Sequence, residues 1–373
     1  MADIIAELYA SGITPSSLMG GPLISFSFEE SMSGCASYAI KIKSDSASKY
    51  DGFIRDDQTP FGFLFGTSVP TGDLPSRSNQ KKLLLLQARK KLVSNTSATY
   101  LFRGCCGGIL LSRHRAKDKS WDNELISKMV RDLIEDVGLQ ADVATTEGKF
   151  KLMGCNQPTA EFISKTLLPL AFSQTGRDWR FWVKDGKEVV FRPTKPVGTT
   201  VKFSNTLKNG YVHLLGPEVI KDTRFQEEQR SGKIEVVMYD ESSGRLIQKE
   251  FGESKGQFNY LGGRGRPIER QSVSETIIAS MQKGRHTDVS PDKVVTRIGQ
   301  TLWGRYGRSL YRIQSEIPYS PGLAINSPAN VSLTGPLGES DANSGQWVVF
   351  GARHSVTSGV ARSWVTLEKR WEA

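Results

Sequence analysis

Hydrophobic and polar positions alternate through much of the first hundred residues. Ile24, Phe26 and Phe28 are interleaved with Ser25, Ser27 and Glu29, and Tyr38, Ile40 and Ile42 with Ala39, Lys41 and Lys43. Phe61, Phe63 and Phe65 repeat the pattern, with Gly62 and Gly66 loosening the backbone. A period of two places one face in a core and the other in water, so these runs predict strands. The serines at 44, 46 and 48 and the Pro/Gly-containing run from Ser68 to Ser78 predict loops. Short alternating strands at this spacing predict an antiparallel barrel or sandwich.

The run Lys81-Lys-Leu-Leu-Leu-Leu-Gln-Ala-Arg-Lys-Lys91 breaks the rhythm. It holds five basic residues (Lys81, Lys82, Arg89, Lys90, Lys91), no acid and four consecutive leucines. Its leucines form a block, where a membrane-surface helix needs one clean stripe. Two readings stand: a buried barrel element with a basic exit, or a segment that docks on a partner.

Helical spacing then takes over. Ser120 is read as opening a helix in which Leu125, Ile126, Met129, Val130, Leu133, Ile134 and Val137 recur at three and four residues, with Gly138 at C′. A second helix is expected from Pro158, an N1-type proline, through Phe162, Ile163 and Leu167 to Pro169. Trp179–Lys184 and Glu188–Arg192, joined by Asp185-Gly186, predict a hairpin. Gly232–Asp240 and Arg245–Phe251 predict another, across the turn ending in Gly244. Residues 252–271 read as Gly- and Arg-rich loop. Ser272-x-x-Glu275 is a capping box leading into Thr276–Lys283, and Ser290-Pro291 starts a helix through Val294, Val295, Ile298 and Leu302. Gln346–His354 and Arg362–Arg370 close the chain as strands around Ser358-Gly359.

The expected fold class is α+β, mainly β: two antiparallel β-barrel-like domains with a small α/β module and a helical insertion. The boundaries are 1–113 for the first barrel-like domain and 114–198 for the module. The second barrel-like domain comprises 199–251 and 305–373, split by a loop and helical insertion at 252–304.

With 38% hydrophobic and 24% charged residues, the 373-residue chain has the composition of folded protein. No stretch approaches the ~20 apolar residues of a membrane span, and the N-terminus has two acids and no basic n-region, which places folding in a cytoplasm. Of the net +10, nearly all lies late: residues 1–150 carry 18 basic and 17 acidic side chains, residues 151–373 carry 31 and 22. That surplus permits a polyanionic partner without demanding one. Cys35, Cys105, Cys106 and Cys155 form no Cys-x-x-Cys, and His114, His213, His286 and His354 are scattered. No metal or other cofactor is expected, and the cysteines read as small buried residues in a reducing compartment.

Chemistry-bearing motifs are sparse. Arg264-Gly-Arg266-Pro267 matches the core of a minor-groove-binding AT-hook, but also a loop with solvated arginines. Phosphate-binding, zinc-protease and nucleophile-elbow motifs are missing. Ser46-x-x-Lys49 and Ser280-x-x-Lys283 have hydrolase spacing without companion motifs, and Asp56-Asp57 and Glu227-Glu228 are adjacent pairs of the solvated kind. The tryptophans, Trp179-Arg180-Phe181-Trp182 included, suit packing better than a base-stacking platform. No enzyme is expected.

Three stretches resemble the baseplate hub protein of contractile-tailed phages, a family related to the first part of type VI secretion spike proteins. They are Phe162–Ala171 with the hairpin Trp179–Arg192; the close, Trp347–His354 and Trp364–Arg370; and Ser120–Leu139. In that family a His often ends the penultimate strand and an Arg the last. The resemblance implies a homotrimer whose subunits each carry two similar barrels. Such a ring joins a sixfold tail tube to a threefold central spike, with spike, tube and other baseplate (wedge) or tape-measure proteins as partners. It also implies a virion location in the tail baseplate after assembly in the host cytoplasm, no membrane anchor and no specific small molecule. Lys81–Lys91 has no counterpart in the resemblance and is the candidate partner interface. The competing reading is a nucleic-acid-associated protein using the basic later part and the Arg264–Arg266 loop.

Overall fold

The computed structural model describes residues 4–10, 13–17, 23–32, 35–46, 48, 50–51, 61–67, 80–116, 119–147, 149–154, 157–168, 170–171, 179–184, 186, 188–193, 198–222, 233–240, 243–252, 269–272, 291–302, 310–320, 322–357 and 360–369. The first β region runs β1 (Ile4–Ala10), β2 (Ile13–Ser17), β3 (Leu23–Ser31), β4 (Ser37–Ser44), β5 (Phe61–Thr67), β6 (Gln80–Leu92) and β7 (Ala98–Cys106). Alternation explains the best-packed of these. Phe26 and Phe28 of β3, Tyr38, Ile40 and Ile42 of β4, and Tyr100 and Phe102 of β7 are all buried on one face. Each fully buried side chain of this size contributes roughly 1.5–3 kcal/mol.

A mixed module follows: α1 (Ile109–Arg113), β8 (Ser120–Leu125), α2 (Ile126–Glu135), β9 (Gln140–Val143), β10 (Lys149–Met153), α3 (Thr159–Phe162) running into a π-helical turn at Ile163–Leu167, and the hairpin β11 (Trp179–Lys184) and β12 (Glu188–Pro193). Helix α2 buries Ile126, Met129, Val130, Leu133 and Ile134, and Gly138 ends it at φ +74. Pro158 caps α3, one residue before its first turn. The hairpin pairs Lys184 with Glu188 through Trp179 with Pro193, and β9 adds to it in parallel.

One expectation fails here. Ser120–Leu125 is a strand, antiparallel to β10, and the helix begins only at Ile126. Trp121 and Leu125 happen to fall on the helical spacing. Asn123, however, has φ 59, a left-handed conformation that no right-handed helix accommodates.

The last part contains β13 (Val201–Ser204), β14 (Val212–His213), β15 (Leu215–Asp222), β16 (Lys233–Asp240), β17 (Arg245–Gly252), β18 (Glu269–Ser272), α4 (Pro291–Leu302), β19 (Leu310–Ile317), β20 (Pro328–Ser332), β21 (Gly345–Thr357) and β22 (Val360–Lys369). The closing strands do pair with strands that precede the insert: β13 with β20, and β15 with β19. The hairpin β16–β17 does not join them. It forms its own three-stranded sheet with β18 and packs against α4. β18 itself lies where only loop was expected. Arg264, Arg266, the expected helix after Ser272 and the expected loop Ser68–Ser78 lie outside the described residues.

The two β regions are also not separate in their hydrogen bonding. One 14-stranded sheet runs β14-β13-β20-β21-β3-β4-β7-β6-β5-β1-β2, with β22, β19 and β15 branching from β21. β21 makes the join: Trp347–Val349 and Gly351–Thr357 pair with β22, while Gly351–Thr357 also pairs with β3. The fold is thus mostly β with a small α/β module, assembled from several sheets. Period-two alternation along Trp347–Phe350 sends neighbouring side chains to different cores, and a register shift follows between Val349 and Gly351. Trp347, Val349, Val365 and Leu367 pack with Phe203, Ile313 and Val331. Val348 and Phe350 instead pack on Met32, Trp182 and Val190, under the module's hairpin. His354 does not end its strand, which continues to Thr357. It is buried, with Nδ1 2.8 Å from Ser363 Oγ.

Candidate functional site

The basic run Lys81–Lys91 is part of strand β6. From Leu83 to Leu92 it pairs with β7; from Gln80 to Leu83 it pairs with β5. The leucine block therefore crosses from one neighbour to the next, with a register shift between Leu85 and Gln87. Leu86 lies at that shift and is exposed, as are Leu92 and Val93. Beyond Leu83, among the described residues, β6 is hydrogen-bonded on one side only.

Register separates the basic residues. Lys90 lies opposite Tyr100, whose ring is buried in the core. Its Nζ donates to both carboxylate oxygens of Asp51 at 2.8 and 2.9 Å and sits 5.8 Å from the Tyr100 centroid. The Tyr100 hydroxyl donates to Asp51 as well, at 2.9 Å. Burial, and the carboxylate beside it, push the Tyr100 phenol up to about 12. Lys90 is thus held by the chain itself.

Arg89 and Lys91 point the other way. They lie opposite Leu101 and Thr99, which in turn lie opposite Lys41 and Lys43 of β4; Arg103 of β7 lies between Gln87 and Ala39. Lys41, Lys43, Arg89, Lys91 and Arg103 are all exposed, on one face of three adjacent strands. Among the described residues none of the five has an acid within ion-pair distance. Half-buried Leu101 is at the centre. Sequence reading singled out the β6 cations and missed Lys41, Lys43 and Arg103. The alternation in β4 was the available signal, since it already set Lys41 and Lys43 on the face opposite Ile40 and Ile42. The structure does not describe the side chains of Lys81 and Lys82.

A second cluster ties the module to the closing strands. Glu368 of β22, buried, accepts hydrogen bonds from Arg180 of β11 and, at 3.5 Å, from Arg312 of β19. The two guanidinium groups stand 5.6 and 4.6 Å from the Phe350 ring centroid. Low dielectric strengthens both the ion pairs and the cation–ring contacts. Trp179, Trp182, Trp347 and Trp121 are all buried, in keeping with packing.

Among the described cysteines one departs from expectation, and Cys155 lies outside the described residues. Cys105 and Cys106 are buried, but Cys35 is exposed. Its thiol lies beside that of Cys106, and the hydrogen bond from Cys106 holds Cys35 below the usual thiol range. Burial raises Cys105 to about 11. No group of three or more potential metal ligands occurs among the described residues, and no described helix is long and apolar enough to cross a membrane.

No family model matches the chain, and no curated protein does. Solved structures do. A 43 kDa tail protein of prophage MuSo2 from Shewanella oneidensis superposes with TM-score 0.63 at 11% identity, over 97% of this chain and 98% of that one. A tail protein from Neisseria meningitidis MC58 gives 0.63 at 8% identity, over 98% and 97%. An Escherichia coli type VI secretion component, described as structurally similar to the T4 tail proteins gp27 and gp5, gives 0.54 at 11% identity, over 98% and 77%. The likeness is one of fold.

Proposed function

We propose that this chain is a structural component of a phage tail baseplate: a hub ring that joins the sixfold tail tube to the threefold central spike. The observation that carries the reading is end-to-end likeness of fold to the Shewanella tail protein, over nearly the full length of both chains. Two β regions around a small module suit a subunit that presents two tube-like units, so that a homotrimer offers six. Spike, tube and wedge or tape-measure proteins are the partners, and the role is structural, with no catalysis. The place of action is the virion tail.

Measuring the mass in solution, alone and with spike and tube proteins, tests this. The expected result is three times the chain mass, with a central hole on imaging. A chain that stays monomeric at high concentration, and also with both proteins present, overturns it.

A further inference from the structure

We infer that the face formed by Lys41 and Lys43 of β4, Arg103 of β7, and Arg89 and Lys91 of β6 is a docking surface for an acidic patch on another protein of the tail. The proposal rests on the tail-component reading and goes beyond it by naming the surface and the partner's chemistry.

The register sets the geometry. Lys43, Thr99 and Lys91 form one row across three strands, Lys41, Leu101 and Arg89 the next, and Ala39, Arg103 and Gln87 a third. Strands about 4.8 Å apart put Lys41 about 10 Å from Arg89, with about 7 Å between successive rows. Five cations thus share a few neighbouring rows, and no acid among the described residues pairs with any of them. Glu29 of β3, on the same face of the sheet, lies opposite Arg353 of β21, on the far side of β4, and the exposed Asp45, two residues beyond Lys43, forms no ion pair with the five among the described residues. Such a field attracts carboxylates and sets orientation and association rate.

The apolar residues argue for protein over nucleic acid. Leu101 is half-buried amid the charges, and Val93 is exposed just beyond the end of β6, two residues past Lys91. Protein docking dehydrates such positions, whereas a phosphate backbone gains nothing from them. Base stacking needs exposed rings, and the rings of these strands, Tyr38, Tyr100 and Phe102, are buried on the opposite face.

Lys90 is excluded by its Asp51 pair, which makes the test clean. Two double variants, Lys41→Glu with Lys43→Glu and Arg89→Glu with Lys91→Glu, change exposed positions only. Tagged copies of each, and of the parent, are supplied to cells assembling tails, and their incorporation into purified tails is compared. The expected result is an unchanged melting temperature and oligomeric mass, with at least tenfold lower incorporation of both variants. Incorporation equal to the parent overturns the docking face and leaves the hub reading standing. Loss of the oligomer itself overturns it in favour of a contact between copies of this chain. Weakened binding of a 20-base-pair duplex with normal incorporation overturns it in favour of nucleic acid. Failure of the tagged parent to enter tails overturns the hub reading, and the docking proposal with it.

Discussion

Arg180 donates a hydrogen bond to Glu368 across 188 residues of sequence, fastening the hairpin of the α/β module to the last strand of the chain. Glu368 is buried and also receives Arg312. Removing its carboxylate leaves two guanidinium groups facing a desolvated site. Glu368→Ala is expected to cost about 3–5 kcal/mol, the range for breaking a buried pair from one side. Urea unfolding of the variant beside the parent checks this. A change under about 1 kcal/mol would mean water reaches the cluster.

Phe350 packs with Met32 and Trp182 and lies under the same two arginines. Phe350→Ala leaves a cavity and removes both cation–ring contacts, for an expected loss of about 3–5 kcal/mol. Phe350→Leu keeps most of the volume and should lose much less. Equal midpoints for Phe350→Ala and parent would place that side chain in water.

Gly154 approaches Ala116 so closely that an added Cβ would sit 2.3 Å from the Ala116 carbonyl oxygen. Backbone cannot step aside as a side chain can. Gly154→Ala should therefore destabilise by several kcal/mol, in the exceptional tail of single substitutions, and thermal melting reports it.

Alkaline pH should weaken the fold. The unfolded Tyr100 phenol ionises near 10 and the folded one at about 12, so the folded state keeps its proton longer. Between those values the unfolded chain holds fewer protons, and stability falls as pH rises. Tyr38 and Tyr319 are raised too, by burial, and add to the loss. Tyr100→Phe should flatten part of the decline in unfolding free energy between pH 10 and 12. An unchanged slope would show that Tyr100 ionises in the folded state as it does in water.

Cys35 should be the described thiol that reacts first. It is exposed and its thiolate is favoured by the Cys106 hydrogen bond, whereas Cys105 and Cys106 are buried. Iodoacetamide labelling followed by peptide mass spectrometry should find Cys35 modified several-fold ahead of the other two, and Cys106→Ala should slow it.

Alternation was readable wherever one face is buried, as at Phe26, Phe28, Ile40 and Ile42, because a period of two is a local property. The helix α2 was readable for the same reason, from its 3.6-residue spacing. β6 was not, since a register shift at Leu86 and a change of partner at Leu83 erase the period. β8 was mistaken because Trp121 and Leu125 fit the stripe of the next helix, and a positive φ at Asn123 leaves no mark in a hydropathy pattern. The sheet to which β16 belongs depends on β18, Glu-Arg-Gln-Ser, which has no apolar residue to announce it. The basic face is the same problem at a distance. Lys41 and Arg89 are 48 positions apart, and only strand order makes them neighbours.

β21 gives the molecule a mechanical axis. Thirteen residues of strand span roughly 43 Å, and hydrogen-bonded partners grip the two ends on different neighbours. A push on the β20 end is carried along this rod to β3 as shear on a ladder whose bonds must break together. The irregularity between Val349 and Gly351 is where such a rod bends first, and Phe350, in contact with both Arg180 and Arg312, sits at that point.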